Sequence, residues 1–440
     1  MKETPAYIRV KTEDFRAIKE ADIIIDGITV VAGENGCGKS SLSKLLYFLY
    51  KTVANYDLLV TRQLGDELQK ISKFLDIIRL ELLLKGTDED EQLNLGRETS
   101  ELNKQLLSNT DSLEENRYKW INLINKVELI FRKAEVSKNS QIQIARLYYI
   151  ITNILQRENI SEDIKEEDIF PQIKTFIEER FKEASDQIQT RPTSLFIEAL
   201  KAAFSDGILP KKFEVLEYDD LIVSLSRSQL SIPYNIQNAI YIDTPMMLSV
   251  QDSQHVYWND LNELLRKKSL TTNRVSKLIS SEIIQGDAVL DETHYSSDEF
   301  KFKRTDGRLF NLLDVATGIK AFSILQILLK NGSLTDKTLL IIDEPESHLH
   351  PQWIIEYARI IVMLNKEIGV KFFIASHNPD MVSAIRYISE KENTLDKVNF
   401  YLAEKSDFPF QHNYTFLEQE IDPIFESFNI AIERINKYGI

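Results

Sequence analysis

The stretch Gly33-Glu34-Asn35-Gly36-Cys37-Gly38-Lys39-Ser40, followed by Ser41, decides how this chain is read. It fits G-x-x-x-x-G-K-[ST], a loop whose backbone N–H groups surround nucleotide phosphates. Upstream, Ile28-Thr29-Val30-Val31-Ala32 is a short β-branched run with the texture of a buried strand. Downstream, Lys39 to Lys51 places Leu42, Leu45, Leu46, Phe48 and Leu49 at helical spacing. Strand, glycine turn and helix N-terminus bring free amides and the positive dipole end together where phosphate must sit. Gly33, Asn35, Gly36, Cys37, Gly38, Lys39, Ser40 and Ser41 are therefore expected to bind nucleotide. Lys39 would reach the β- and γ-phosphates, and the Ser40 hydroxyl would face Mg²⁺.

Working outward, Tyr7–Val10 and Ile23–Ile25 read as strands, with Asp26-Gly27 as a hairpin-type turn into the loop strand. From about Ala54 to Pro210 the texture turns helical and polar. Leu106, Leu113, Trp120 and Val127 recur every seven residues, with Ile124 and Phe131 offset. Thr110 and Arg117 interrupt that second row, so the segment reads as a helical subdomain burying its own faces rather than a long coiled-coil arm. Gly86–Glu91 is an acidic solvated turn. Strand texture returns at Phe213–Leu216, Leu221–Ser224 and Ala239–Ile242. Glu299–Lys303 and Arg308–Phe310 flank Asp306-Gly307 as a hairpin. The expected domains are 1–55, 56–210 and 211–440: a head in two lobes, split by a helical insertion.

Chemistry is concentrated late in the chain. Leu339-Leu340-Ile341-Ile342 is a fully apolar strand ending in Asp343-Glu344. Such a carboxylate holds Mg²⁺ in a phosphate-loop enzyme, a role that fits Asp343. Glu344 can orient or deprotonate the attacking water. Burying two unpaired acids for structure alone is costly. Phe372–Ser376 is another apolar strand, after which His377 would face the same crevice at the strand's carboxyl end. Glu344, His377 and Lys39 are the candidate catalytic residues, and Ser40 and Asp343 the candidate metal ligands.

Together with Val315–Lys320 and Asp343-Glu344-Pro345-Glu346-Ser347-His348-Leu349-His350-Pro351, these segments resemble an ABC-type ATPase. The form after the acids is similar to the branch holding overcoming-lysogeny and SMC-like ATPases. The resemblance implies an α/β head with a mixed sheet and flanking helices, using ATP and Mg²⁺. It implies that Phe15 and Arg16 lie near the adenine. It also implies a head-to-head dimer, with Ala316, Thr317 and Gly318 as the signature acting in trans and Ser347 and His348 touching the opposite head. Ala316 stands where the family usually has serine. The resemblance assigns no glutamine to the metal-sensing loop, and Gln251 is no more than a suggestion for it.

Composition bounds the partners. A net charge of −15 over 440 residues argues against indiscriminate nucleic-acid coating. Cys37 is the sole cysteine, which excludes an intramolecular disulfide. No apolar signal core or membrane-length run is present, so a cytoplasmic protein without membrane contact is expected. The chain resembles the small ATPases of the Septu or PARIS antiphage systems, which imply a separately encoded effector such as a nuclease. Asn378–Ile440 is expected to hold the last strand, Val398–Leu402, and to be too short for the nuclease domain of overcoming-lysogeny proteins. The competing reading is a DNA-repair or recombination ATPase binding nucleic acid through Arg266, Lys267, Lys268, Arg274 and Lys277, or through Lys301, Lys303, Arg304 and Arg308. An embedded nuclease would need Glu299 and Lys301 with Asp287 or Asp291, and a transporter subunit fits poorly. Alkylation of Cys37 is expected to block ATP binding.

Overall fold

The computed structural model describes residues 8–84, 89–108, 111–134, 169–245, 248, 255–268, 273–291, 299–426 and 436–438. The chain forms two compact units. One comprises Met1–Ala54 with Thr193–Ile440, the other Asn55–Pro192.

The first unit is the expected α/β head. Its ten-stranded mixed sheet runs β5-β4-β1-β2-β13-β12-β3-β11-β10-β6. In chain order these are β1 (Ile8–Phe15), β2 (Ile18–Ile24), β3 (Ile28–Gly33), β4 (Lys212–Glu217), β5 (Asp220–Ser224) and β6 (Asn238–Ile242). After the separate three-stranded sheet of β7 (Gly286–Asp291), β8 (Glu299–Arg304) and β9 (Leu309–Asn311) come β10 (Thr338–Asp343), β11 (Lys371–Ser376), β12 (Val398–Lys405) and β13 (His412–Glu418). The sheet has two characters. β12, β3, β11, β10 and β6 are mutually parallel, whereas β1, β2, β4 and β5 form an antiparallel wing. β3 and β10 are buried along their whole length, as strands covered on both faces must be. Helices Lys39–Val53, Thr317–Lys330 and Pro351–Ile368 carry the apolar faces that cover them.

Three boundaries differ from expectation. Asp26-Gly27 is a turn, with Gly27 at φ +83°, but not a hairpin. β13 and β12 separate β2 from β3. The hairpin in this region joins β1 to β2 through Arg16 at φ +53°, with neither glycine nor asparagine to announce it. β12 is not the last strand, because β13 follows it and pairs with both β12 and β2. The insertion ends at Pro192 rather than 210. Helix Thr193–Ala203 has the same helical texture, yet Phe196 is buried and Phe204 just beyond it packs edge-on against Phe15 and Phe48 of the head.

The second unit is helical among its described residues: Tyr56–Leu84, Glu89–Ser108, Leu113–Ala134 and Ile169–Thr190. The seven-residue register does not run through one helix, since Leu106 and Leu113 belong to different helices. Trp120, Ile124, Val127 and Phe131 fall on one buried face of the helix Leu113–Ala134, and Phe131 meets Phe170 at 5.7 Å. Of the acidic stretch expected as a turn, Gly86–Asp88 lie outside the described residues, and Glu89–Glu91 open the helix Glu89–Ser108 instead. No helix among the described residues is long and apolar enough to cross a membrane.

Candidate functional site

The parallel strands all end on one side of the sheet, and the chemistry collects there. Asp343 stands level with Ala375, Ser376 with Ala32, and Ile342 with Ile242. The ends of β3, β11, β10 and β6 are thus neighbours, the position where open parallel sheets bind ligands.

After β3 the chain turns on Gly36 (φ +85°) and Gly38 (φ +98°) into the helix that starts at Lys39. Gly38 caps that helix without a side chain, leaving its first amides free for an anion. Lys39 Nζ donates to the carbonyls of Gly33 at 2.8 Å and Glu34 at 3.0 Å, curling the loop around its own ammonium. Two side chains from distant strands brace the underside. Tyr414 Oη donates to Cys37 O at 3.1 Å, and a Cβ on Gly38 would come within 2.9 Å of Ile18 Cγ1.

At the end of β10, Asp343 is buried, and burial raises its carboxyl above the usual range against hydrogen bonds from Ser40 and Tyr241. Tyr241 Oη donates to Asp343 Oδ2 at 3.0 Å, while Asp343 Oδ1 is buried without a hydrogen-bond partner. An orphaned carboxylate oxygen beside a serine hydroxyl fits a hard divalent cation, which takes oxygen donors and shares them with substrate phosphates. The residues present therefore fit Mg²⁺, which Ser40 and Asp343 would hold.

Glu344 sits at φ +52°, in the left-handed region, held by its N–H to Ala375 O at 2.8 Å and by Ser347 Oγ donating to its Oε2 at 3.2 Å. The side chain is half-exposed, free to meet a ligand. His377 Nδ1 stands 3.4 Å from both Glu344 Oε1 and Glu346 Oε1, too far for a tight hydrogen bond. Glu346 was not expected. Its buried Oε1 accepts from Ser376 Oγ at 2.9 Å and from His377 N at 3.0 Å, tying the acid loop to the end of β11. Burial raises its pKa, opposed by those donors. Tyr241 was missed too, since one tyrosine in an apolar strand carries no motif.

The structure brings together Lys39, Ser40, Asp343, Glu344 and His377. The segments expected as signature and as opposing-head contact meet within this chain, as Thr317 Oγ1 donates to His348 O at 3.3 Å. Gly318 lies so close to Trp353 that a Cβ would fall 2.4 Å from its ring. Other expectations need correction. Phe15 is 0% exposed, packed edge-on against Phe204, and offers no face to adenine. Arg16 is engaged by Asp206 at 2.7 Å and stacks on Phe204. The Cys37 side chain is buried, and burial pushes its thiol up although Sγ lies 3.8 Å from Lys39 Nζ, so the geometry does not favour the ready alkylation expected of it. Gln251 lies outside the described residues. Asp287 is no metal ligand in waiting: its Oδ1 already accepts from Ser280, Gln326 and Lys330. The basic runs are partly neutralised, Arg304 and Arg308 by Asp306 and Arg274 by Glu367.

Comparison with known proteins agrees on the class of the site. A family model described as "AAA domain, putative AbiEii toxin, Type IV TA system" matches residues 28–383. No curated protein matches the chain. Among solved structures, the SMC head domain from Thermotoga maritima is 14% identical with TM-score 0.26, covering 36% of this chain and 52% of that one. This chain thus spans about half the length of that structure. The Smc head domain with an extended coiled coil bound to the C-terminal domain of ScpA, from Pyrococcus furiosus, is 12% identical with TM-score 0.33, covering 98% and 99%. An SmcHead bound to the C-winged helix domain of ScpA is 12% identical with TM-score 0.37, covering 94% and 98%.

Proposed function

The chain belongs to this AAA-domain family of phosphate-loop ATPases, and on that premise we propose that it binds and hydrolyses ATP as a nucleotide-gated switch. The observation that carries the reading is the convergence of Lys39, Asp343, Glu344 and His377 at the carboxyl ends of three adjacent parallel strands. The loop amides and Lys39 hold the triphosphate. Bound Mg²⁺ would neutralise charge on the β- and γ-oxygens. Glu344, fixed by Ser347, takes the proton of the attacking water, and His377, 3.4 Å from Glu344, reaches the γ-phosphate beside it. A second copy closes the site through Ala316-Thr317-Gly318, whose helix N-terminus suits a phosphate oxygen.

The switch is read as part of antiphage defence, controlling a separately encoded effector such as a nuclease. The resemblance of the acid-Pro-Glu-x-x-Leu-His-Pro segment supports this, as does a family description that names a toxin of a TA system. Glu344→Gln tests the core of the proposal. Turnover should fall at least about 100-fold while ATP affinity holds, and an ATP-dependent dimer should accumulate in light scattering. Hydrolysis at the wild-type rate in that variant removes the assignment.

A further inference from the structure

Phe15 cannot receive the nucleotide base, which leaves open what does, and the surface beside the phosphate loop supplies a candidate. β12 runs parallel to β3, with Ala403 level with Gly33, and both strands end on the side of the loop. Two residues beyond Ala403, Lys405 Nζ pairs with Glu34 of the loop at 3.3 Å. The chain then turns through Ser406-Asp407-Phe408-Pro409-Phe410-Gln411 and re-enters the sheet as β13. That turn is closed by Ser406 N–H donating to Gln411 O at 2.9 Å. Its foot is fixed to the β1–β2 turn by His412 N–H donating to Ala17 O at 2.9 Å.

Two large rings stand in solvent on this tip, Phe408 at 55% and Phe410 at 93% exposure. Phe408 is anchored: Lys19 Nζ lies 4.3 Å from its ring centroid and pairs with Asp14 at 2.6 Å. Phe410 is not covered in this way, and its backbone sits at φ +61°. A bulky residue in the left-handed region is strained where glycine would be free, and such strain clusters at ligand clamps. An exposed, strained aromatic on a hydrogen-bonded turn beside a phosphate loop has the properties of a base platform, since any nucleobase presents a π-face to it.

We propose that the tip between β12 and β13 stacks the base of the bound nucleoside triphosphate on the ring of Phe410, with Phe408 and Lys19 holding the tip in place. This rests on the ATPase reading above. Stacking of this kind is sequence-tolerant, so the platform adds affinity for purine nucleotides in general and leaves the phosphates to the loop.

The test compares ATP with inorganic tripolyphosphate, which has no base, on the full chain. Phe410→Ala should weaken ATP on the order of tenfold and leave tripolyphosphate unchanged. Phe410→Gly should do the same while unfolding no earlier than wild type, because it relieves the positive φ. Phe410→Trp should restore ATP affinity. Equal losses for both ligands would make Phe410 structural and overturn the proposal. So would unchanged ATP affinity in Phe410→Gly, including the case where that variant loses a protein partner instead. A wild-type chain that binds tripolyphosphate and ATP equally well overturns the platform alone. One that binds neither overturns the ATPase reading with it.

Discussion

The phosphate loop and the acid loop each turn the chain through left-handed backbone twice, and they do so with opposite residues. In the phosphate loop the positions are Gly36 and Gly38; in the acid loop they are Glu344 at φ +52° and His348 at φ +67°. Glycine takes this conformation freely, whereas other residues pay about 1–2 kcal/mol. The phosphate loop binds through backbone, so its side chains can be absent. On the proposed function the acid loop acts through a side chain that must sit at the bend itself, so strain is tolerated and held in place by Ser347, Ala375 O and the buried Glu346. One half of the site is relaxed and local; the other is strained and supported from a neighbouring strand.

Substitutions can break or sharpen that contrast. The largest effect is expected at Gly38→Ala, which combines left-handed strain with a contact at 2.9 Å to Ile18, for a cost of about 3 kcal/mol and loss of ATP binding by calorimetry. Gly36→Ala should cost only about 1 kcal/mol, since its Cβ meets nothing within 4 Å. Equal penalties at both positions would mean that the loop is not braced by β2. Next comes Glu346→Ala, which unpairs Ser376 Oγ and the His377 amide. Thermal unfolding should show a loss of about 2 kcal/mol, with turnover down about tenfold and ATP affinity within twofold. Glu346→Gln keeps an acceptor and should recover most of the stability.

Glu344→Gly should remove turnover and yet stabilise the fold by about 1 kcal/mol in denaturant titrations, the reverse of what a glycine does in a helix or strand. A destabilised Glu344→Gly would show that the acid loop is not strained. The smallest effect is expected at Cys37. Alkylation requires thiolate, and burial raises this thiol's pKa. Modification should therefore lag a free thiol throughout pH 7–9 and gain speed only above the ordinary thiol range, with ATP changing the rate little. Rapid labelling at neutral pH that ATP suppresses would show that the thiol is open to the phosphate site.

The same contrast separates what could be read early from what could not. The Gly33–Ser41 loop, the strands ending at Asp343 and Ser376, and the hairpin at Asp306-Gly307 were all legible, because each signal is local: a glycine pattern, an unbroken apolar run, a turn dipeptide. The β1–β2 turn was not, since Arg16 occupies a position where a glycine would have marked it. β13 was not either, because only Tyr414 among its seven residues is buried, which leaves no alternation to detect. Asp26-Gly27 misled for the converse reason: it is a true turn whose flanking strands pair elsewhere.

By itself, the sequence determined that this chain carries a phosphate loop, a pair of acids and a late histidine on apolar strands, since those depend on backbone freedom and burial within a few residues. Tertiary structure alone decided which strands are neighbours. It put Tyr414 under the loop, Glu346 beneath His377, Phe15 in the core and Phe410 in solvent. These placements follow from strand order and register between segments far apart in the chain, where the free energy of packing is shared among many contacts and no single residue announces it.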